Sequence, residues 1–514
     1  MPRATSRTFT YQTRVHLETD EDVVLIAVAK LLSGVERKLF AAIAAGKKAS
    51  DLKSSFLTTF GITARHFNAC RIQVEGKIAS VKELNLRQIA ELGSRMKDLE
   101  KKIQNLEKRS ANAHVIHQKK RRLTTLGHKY NTLQKDQESG KVHICFGSKS
   151  LFHAQFALAE NNYASHEEWK ADWEEKRNSS FFLVGSKDET AGNQLCTALI
   201  QDDGNLTLRL RLPNAFAKEH GKYITIHNVH FKYGHDVIVA NLRNCQERGN
   251  LYRANDPSYK NYGEAISFRF QRDEKGWRVF VSTSFTEPKW VTCNGLGAIG
   301  IDINVDHLAV TETDRFGNPI HHKTIPLVCY GKTSGQSKAL IGDVVAELVD
   351  WARASQKPII LEKLDFQKKK TTLKESGYPK QARMLSSFSY KAIINSIHSR
   401  AFRFGVQVKE VNPAFTSLIG RVKFAEKYGL SIHESAALCI ARRGLGVSER
   451  LPRHLEKVSD GKGHYVAFSL PARTREKHVW RQWGQVQRKL SAVLVAHFRA
   501  KRSSSRSPPA CCDR

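Results

Sequence analysis

"GAIGIDINVDHLAVTETDRFGNPIHHKTIPL", residues 297 to 327, runs through three alternating stretches separated by two polar breaks. That alternation predicts three antiparallel strands, turning first near 304–306 and again in the loop DRFGNP. One acid, Asp302, lies inside the first stretch between Ile301 and Ile303. A carboxylate in such a setting loses hydration, which costs free energy unless a cation or a hydrogen-bond partner compensates.

Downstream, "SKALIGDVVAELVDWARAS" (337–355) has helical spacing, and "KPIILEKLDF" (357–366) predicts a buried strand in which the run PIILE ends on Glu362. A second helix covers "YKAIINSIHSRAFRFG", a further strand "VQVKEVNP", and late helices "GLSIHESAALCIARRGLG" (429–446) and "EKHVWRQWGQVQRKLSAVLVAHFRAKR". Three strands, a helix, an acid-bearing fourth strand and a late helix are the plan of an RNase H-like α/β domain, here spanning 296–500. On that plan Asp302 and Glu362 come together. Paired carboxylates repel unless a divalent cation such as Mg²⁺ holds both ionised. Two such metals, roughly 4 Å apart, can activate a water and stabilise the leaving oxygen of a phosphodiester.

Four segments, "GIDINVDHLAVTETDRFGNPI", "IILEKLDF", "FRFGVQVKEVNPAFTS" and the Ala-Ala of "HESAALCIARR", match in order and approximate spacing the three RuvC segments of TnpB over about 200 residues. The chain therefore resembles the TnpB family of transposon-encoded RNA-guided nucleases, related to the type V CRISPR effectors. The resemblance implies an RNA-guided, metal-dependent DNA endonuclease, with Asp302 and Glu362 as the first two metal ligands. The implied partners are a guide RNA and double-stranded target DNA, and the implied metal is Mg²⁺ or Mn²⁺. The chain departs from the family in two places. "NPAFTS" leads into "LIGRVKFAEKYGLSIHESAAL" with no CxxC, so no zinc ribbon is expected, only a zinc-free insert near 418–430 whose Arg421, Lys423 and Lys427 are candidate nucleic-acid contacts.

The second departure is His433, which stands three residues before Ala436-Ala437, where the family has its last Asp. At 100° per residue His433, Ala436, Ala437 and Ile440 form one stripe, expected to face the sheet. The first helical turn lowers an imidazole pKa, which favours a neutral, metal-ligating His433. Glu434 has the S-x-x-E spacing of a capping box with Ser431 and is read as a cap. The imidazole adds no negative charge, so weaker metal binding and a preference for Mn²⁺ follow.

The whole chain has 514 residues, 83 Lys and Arg against 50 Asp and Glu, and a formal charge of +33. That length predicts two or three domains, and that charge predicts a polyanionic partner. No apolar run approaches a membrane span and MPRATSRTFTYQTRVHLE has no apolar h-region, so no membrane partner is expected. The expected location is the cytoplasm of a prokaryote, with the nucleoid, or the nucleus of a eukaryote. The nine cysteines contain no CxxC and are read as reduced thiols, mostly buried. Upstream of the α/β domain, 1–18 alternates like a strand and 19–141 reads as a basic helical lobe with a hairpin break at Ser110-Ala111-Asn112; the resemblance implies that they are the first strand of a wedge-like β-module and a recognition-like lobe. Residues 142–295 read as a small β-barrel-like module, with "GKYITIHNVHFKYGHDVIVANL" as strand. After Glu362, Lys368, Lys369 and Lys370 are placed to hold a phosphate backbone. Trp480 and Trp483 are read as core, and 501–514 as a disordered tail. Two other functions share the same charge: a guided DNA-binding protein that does not cut, and an accessory transposition factor that binds DNA without a guide.

Overall fold

Alternating runs at both ends of the first 286 residues find each other. In the computed structural model, which describes residues 7–286, 288–363, 390–460, 464–471 and 478–504, the strand β1 (Arg7–Arg14) pairs antiparallel along its whole length with β7 (Gly276–Phe285). With β2 (Ser180–Leu183) and β6 (Ser267–Asp273) they form a four-stranded sheet in the order β1-β7-β6-β2. A second sheet holds β3 (Cys196–Ile200), β4 (Leu206–Arg211) and β5 (Tyr223–Val229). The helix Thr19–Ala44 sends Leu25, Leu32 and Leu39 into one core with Phe181, Phe270, Leu208 and Ile226 from the two sheets. Among the described residues these are two open sheets, not one closed barrel.

The basic segment is a helical hairpin, Ala64–Lys108 and Ala113–Glu138, zipped by Leu92, Leu99, Ile103 and Leu126. Its turn lies at the predicted break, where the Asn112 side chain accepts from the His114 amide and caps the second helix. One expectation is corrected. "HDVIVANL" is not strand but the start of the helix His235–Arg253, because Ile238, Leu242 and Cys245 recur at helical spacing and face the core.

The chain divides into two units, 1–286 and 287–514. In the second, β8 (Ile299–Ile303), β9 (His307–Thr313), β10 (Pro319–Pro326), β11 (Ile359–Glu362) and β12 (Val408–Val411) form a sheet ordered β10-β9-β8-β11-β12. The first three are antiparallel, and β11 runs parallel to both β8 and β12. This mixed α/β arrangement has the predicted turns and follows the strand plan read from the sequence. One face carries Ile299, Ile301, Ile359 and Leu361 against the helices Ser334–Ser355 and Tyr390–Arg403. The other carries Ala298 and Ile360 against Ile440 and Ala441 of the helix Ile432–Gly444.

That last helix is buried from Ser435 to Ala441, not along one stripe only. The reason is the insert at 416–428, which folds as helical turns with a π-helical stretch at Gly420–Phe424 and packs on the flank away from the sheet. Gly420 permits the approach: a Cβ there would lie 2.6 Å from the Ser435 carbonyl. The terminal helix extends to Ser504, past the predicted boundary at 500, since no proline interrupts it before Pro508. Residues 505–514 lie outside the described residues. Trp483 is fully buried and its indole N–H donates to the Glu449 carbonyl at 2.8 Å, whereas Trp480 stays largely exposed, so only one of the two is core. Five of the seven described cysteines are buried and all seven are free.

Candidate active site

The site begins with a glycine. Gly300 faces the helix Ile432–Gly444, and a Cβ on it would sit 2.0 Å from the Ala437 carbonyl oxygen and 2.6 Å from the Ala441 amide nitrogen. Only a bare backbone lets the helix lie this close to β8. Two residues along the strand, roughly 6.6 Å, is Asp302; four residues back along the helix, roughly 6.0 Å, is His433. The two therefore meet: His433 Nδ1 lies 3.1 Å from Asp302 Oδ2. Thr311 on β9 fixes the first helical turn by donating its hydroxyl to the Glu434 carbonyl at 2.8 Å.

Glu362 arrives by register. Ile359, Ile360 and Leu361 of β11 face Ile299, Gly300 and Ile301 of β8, so Glu362 falls at the next position, beside Asp302 and on the same face of the sheet. Asp302 is 8% exposed, and Asn304 in the following turn donates to its Oδ2 at 3.0 Å. The Thr416 hydroxyl donates to the Glu362 carboxylate, and Tyr390 donates to the Glu362 backbone carbonyl at 3.1 Å. Burial first, and then the charges of Glu362, Glu410 and Asp302, push the Tyr390 phenol well above its ordinary pKa, so it stays a donor. Beside His433, the His307 ring stands edge-on at 4.9 Å and donates through Nδ1 to the Asp306 carboxylate at 2.7 Å. Asn304, Thr416, Tyr390 and His307 were not singled out from sequence. Asn304 and His307 flank the turn just past Asp302, one an amide two residues on and the other opening the next strand, whereas Thr416 and Tyr390 reach the site from elements farther along the chain.

His433 corrects one expectation. Its pKa is raised, not lowered, chiefly because the Asp302 carboxylate accepts its hydrogen bond and attracts its charge, aided by Asp306 and opposed by burial and by Arg421. A local carboxylate outweighs the helix terminus. In the metal-free protein, an NMR titration of His433 is expected to give a pKa above 6.5 that falls toward that value in Asp302→Asn. The linked stability is fully present below the unfolded pKa and is lost as pH rises through the raised folded one. With the imidazole 48% exposed, it amounts to about 1 kcal/mol or less.

Glu434 is occupied elsewhere. It closes the capping box with Ser431 and accepts from Thr324 at 3.2 Å, with His322 Nδ1 at 3.1 Å. Burial pushes its carboxyl up, but the His322 and Ser431 hydrogen bonds and the His322 charge prevail and hold it below the ordinary range. Ser431→Ala should lose about 1 kcal/mol of stability, read as a lower urea midpoint at unchanged m-value.

Of the predicted basic contacts, Lys423 pairs with Glu449, which also holds Arg442. Burial, only partly offset by the charge of Asp460, lowers the Arg421 pKa, and its charge is felt at His433. Lys427 is exposed and stands over the Tyr428 ring at 4.8 Å. Lys368, Lys369 and Lys370 lie outside the described residues.

The donor set answers a hard cation in part. Asp302 and Glu362 hold neighbouring register positions on one sheet face, and one or two carboxylates are the usual protein share of a Mg²⁺ site. His433 Nδ1 is turned to Asp302 in hydrogen-bond geometry, and among the described residues no three His, Cys, Asp or Glu side chains gather as a metal-holding group.

No family model and no curated protein matches the chain. Among solved structures, T. thermophilus RuvC in complex with Holliday junction substrate matches with 17% identity and a TM-score of 0.20, over 28% of this chain and 90% of that one. At those values the fold assignment rests on the strand order and register described above.

Proposed function

We propose that residues 296–500 are the RuvC-like nuclease domain of an RNA-guided DNA endonuclease of the TnpB kind. One observation carries the reading: Asp302 and Glu362 lie at neighbouring register positions on one sheet face, beneath a helix that approaches closely enough to bring His433 onto Asp302. Asp302 and Glu362 would hold Mg²⁺ or Mn²⁺, which supplies an activated water and charge stabilisation at the leaving oxygen of a phosphodiester. The chain's own residues set the carboxylates for that task. Asn304 and His433 fix Asp302, Thr416 fixes Glu362, and the closely packed helix excludes water from the sheet face. The +33 charge and the basic helical hairpin supply the field for a guide RNA, which reads target DNA by base pairing.

A second reading has its own observation. The His433 imidazole rests on the Asp302 carboxylate, and that hydrogen bond raises its pKa; a neighbour of this kind weakens the need for a cation and favours a guided binder that does not cut. The deciding experiment expresses the gene with its native flanking DNA, purifies the complex, and offers candidate targets with Mg²⁺ or Mn²⁺. A co-purifying RNA of defined length together with metal-dependent cutting supports the endonuclease. The same RNA with target binding but no cutting supports the binder. A protein that binds DNA with no discrete RNA sinks both and leaves the accessory factor.

A further inference from the structure

Far along the chain from the carboxylates, the first unit contains an open cavity of about 500 Å³ whose walls combine aromatic rings and cations. It lies within the roughly 300–1,000 Å³ that ligand pockets occupy. Phe146, Phe152 and Trp173 form the apolar side, and Arg37, Lys149 and Arg177 the cationic side.

The aromatic wall is built, not incidental. The helix Lys149–Ala154 is capped by Ser148, which accepts from the Leu151 amide, and the buried Trp169 of the helix His166–Arg177 donates its indole N–H to the Leu151 carbonyl at 2.7 Å. Trp173 stacks on Trp169 at 6.2 Å and 11°, and Phe152 meets Trp173 at 5.5 Å and 52°. Phe152 nevertheless remains 39% exposed. Large rings are held rigidly while one face is left to solvent.

The cationic wall is under-satisfied. Arg37 Nη1 and Arg177 Nε are buried without a hydrogen-bond partner, so the protein around them does not fully satisfy either guanidinium. The Arg37 guanidinium is held below its ordinary pKa first by burial and then by the Arg177 charge, so two like charges share a partly desolvated place. Glu36 and Glu174 are the nearest compensating carboxylates, and Glu174 reaches Arg177 only at 3.5 Å. An anion on the cavity side of the two arginines relieves the repulsion between them.

We infer that this cavity binds a single nucleotide, its phosphate on Arg37, Arg177 and Lys149 and its base against Phe152 and Trp173. Rings supply stacking that every base accepts, and guanidinium groups supply the charged donors that a phosphate accepts. The site is independent of the nuclease reading, since it shares no residue with the carboxylate pair.

The test uses the full-length chain and a short single strand carrying one 5-iodouridine, crosslinked by light and mapped by mass spectrometry, with adenosine 5′-monophosphate and inorganic phosphate as competitors. The expected adduct falls on Phe152 or Trp173 and drops about tenfold or more in Phe152→Ala and in Arg37→Gln. Lys149→Gln, at an exposed position, gives a smaller loss and guards against a folding defect at Arg37. Competition by the mononucleotide identifies a free nucleotide as the ligand, and its failure while the strand still crosslinks identifies a nucleotide within a strand; either supports the site. Adducts confined to other regions, unchanged yields in all three variants, or phosphate competing as well as the mononucleotide would overturn it.

Discussion

Asp302→Asn should slow cutting about a thousandfold while leaving target binding intact. The substitution keeps size and shape, so β8 and the helix above it retain their packing, but it removes the negative charge at the buried end of the carboxylate pair. Metal-assisted hydrolysis loses several kcal/mol of transition-state stabilisation without that ligand. At roughly 1.4 kcal/mol per decade, a loss of about 4 kcal/mol slows cleavage on the order of 10³-fold. The measurement is single-turnover cleavage of a bound target, with filter binding of the same complex beside it. Full-rate cutting by the variant would remove Asp302 from the chemistry and, with it, the proposed function. His433→Ala makes an informative companion. Should His433 serve as a ligand, cutting falls with that of Asp302→Asn; should it only hold the Asp302 carboxylate through Nδ1–H, cutting persists at a reduced rate.

The second large effect lies at a residue with no side chain. Gly300→Ala is expected to destabilise the second unit by about 3 kcal/mol, the upper part of the range for overpacking. A methyl at 2.0 Å from the Ala437 carbonyl oxygen meets backbone, which cannot rotate aside, so the helix must lift from the sheet. Lifting also draws His433 from Asp302 and opens the Thr311 bond to the Glu434 carbonyl. The expected signature is a lower unfolding midpoint together with a His433 pKa that moves back toward 6.5 in an NMR titration. An unchanged midpoint would mean that the helix does not rest on Gly300. Gly300→Ala and Asp302→Asn thus separate two roles in one short strand: the first undermines the support of the site, the second its chemistry.

Much of the second unit was legible because its signals are local. The period-two runs of 297–327 give three strands and both turns, the buried run before Glu362 gives the fourth, and Ser431 with Glu434 gives a helix start that forms as a capping box. The helical hairpin and its break at 110–112 were equally plain, since leucines at three and four spacing need no partner elsewhere to be recognised. Where a segment satisfied two periods at once the reading failed. "HDVIVANL" passes for a strand until its burial at Ile238, Leu242 and Cys245 shows the helix.

What the sequence by itself determined, then, is the kind and order of the main elements of the second unit and the two acids, Asp302 inside one strand and Glu362 at the end of another. Only the tertiary structure decided the rest. It decided that the insert at 416–428 packs on the capped helix and buries it all round, and that Thr416 and Tyr390 reach Glu362. It also turned His433 into a hydrogen-bonded neighbour of Asp302 with a raised pKa. The physical reason is one of range. Alternation, helical spacing and caps act between residues a few positions apart, whereas these contacts join groups 28, 54 and 131 positions apart, the last brought together because Gly300 leaves the helix room to approach.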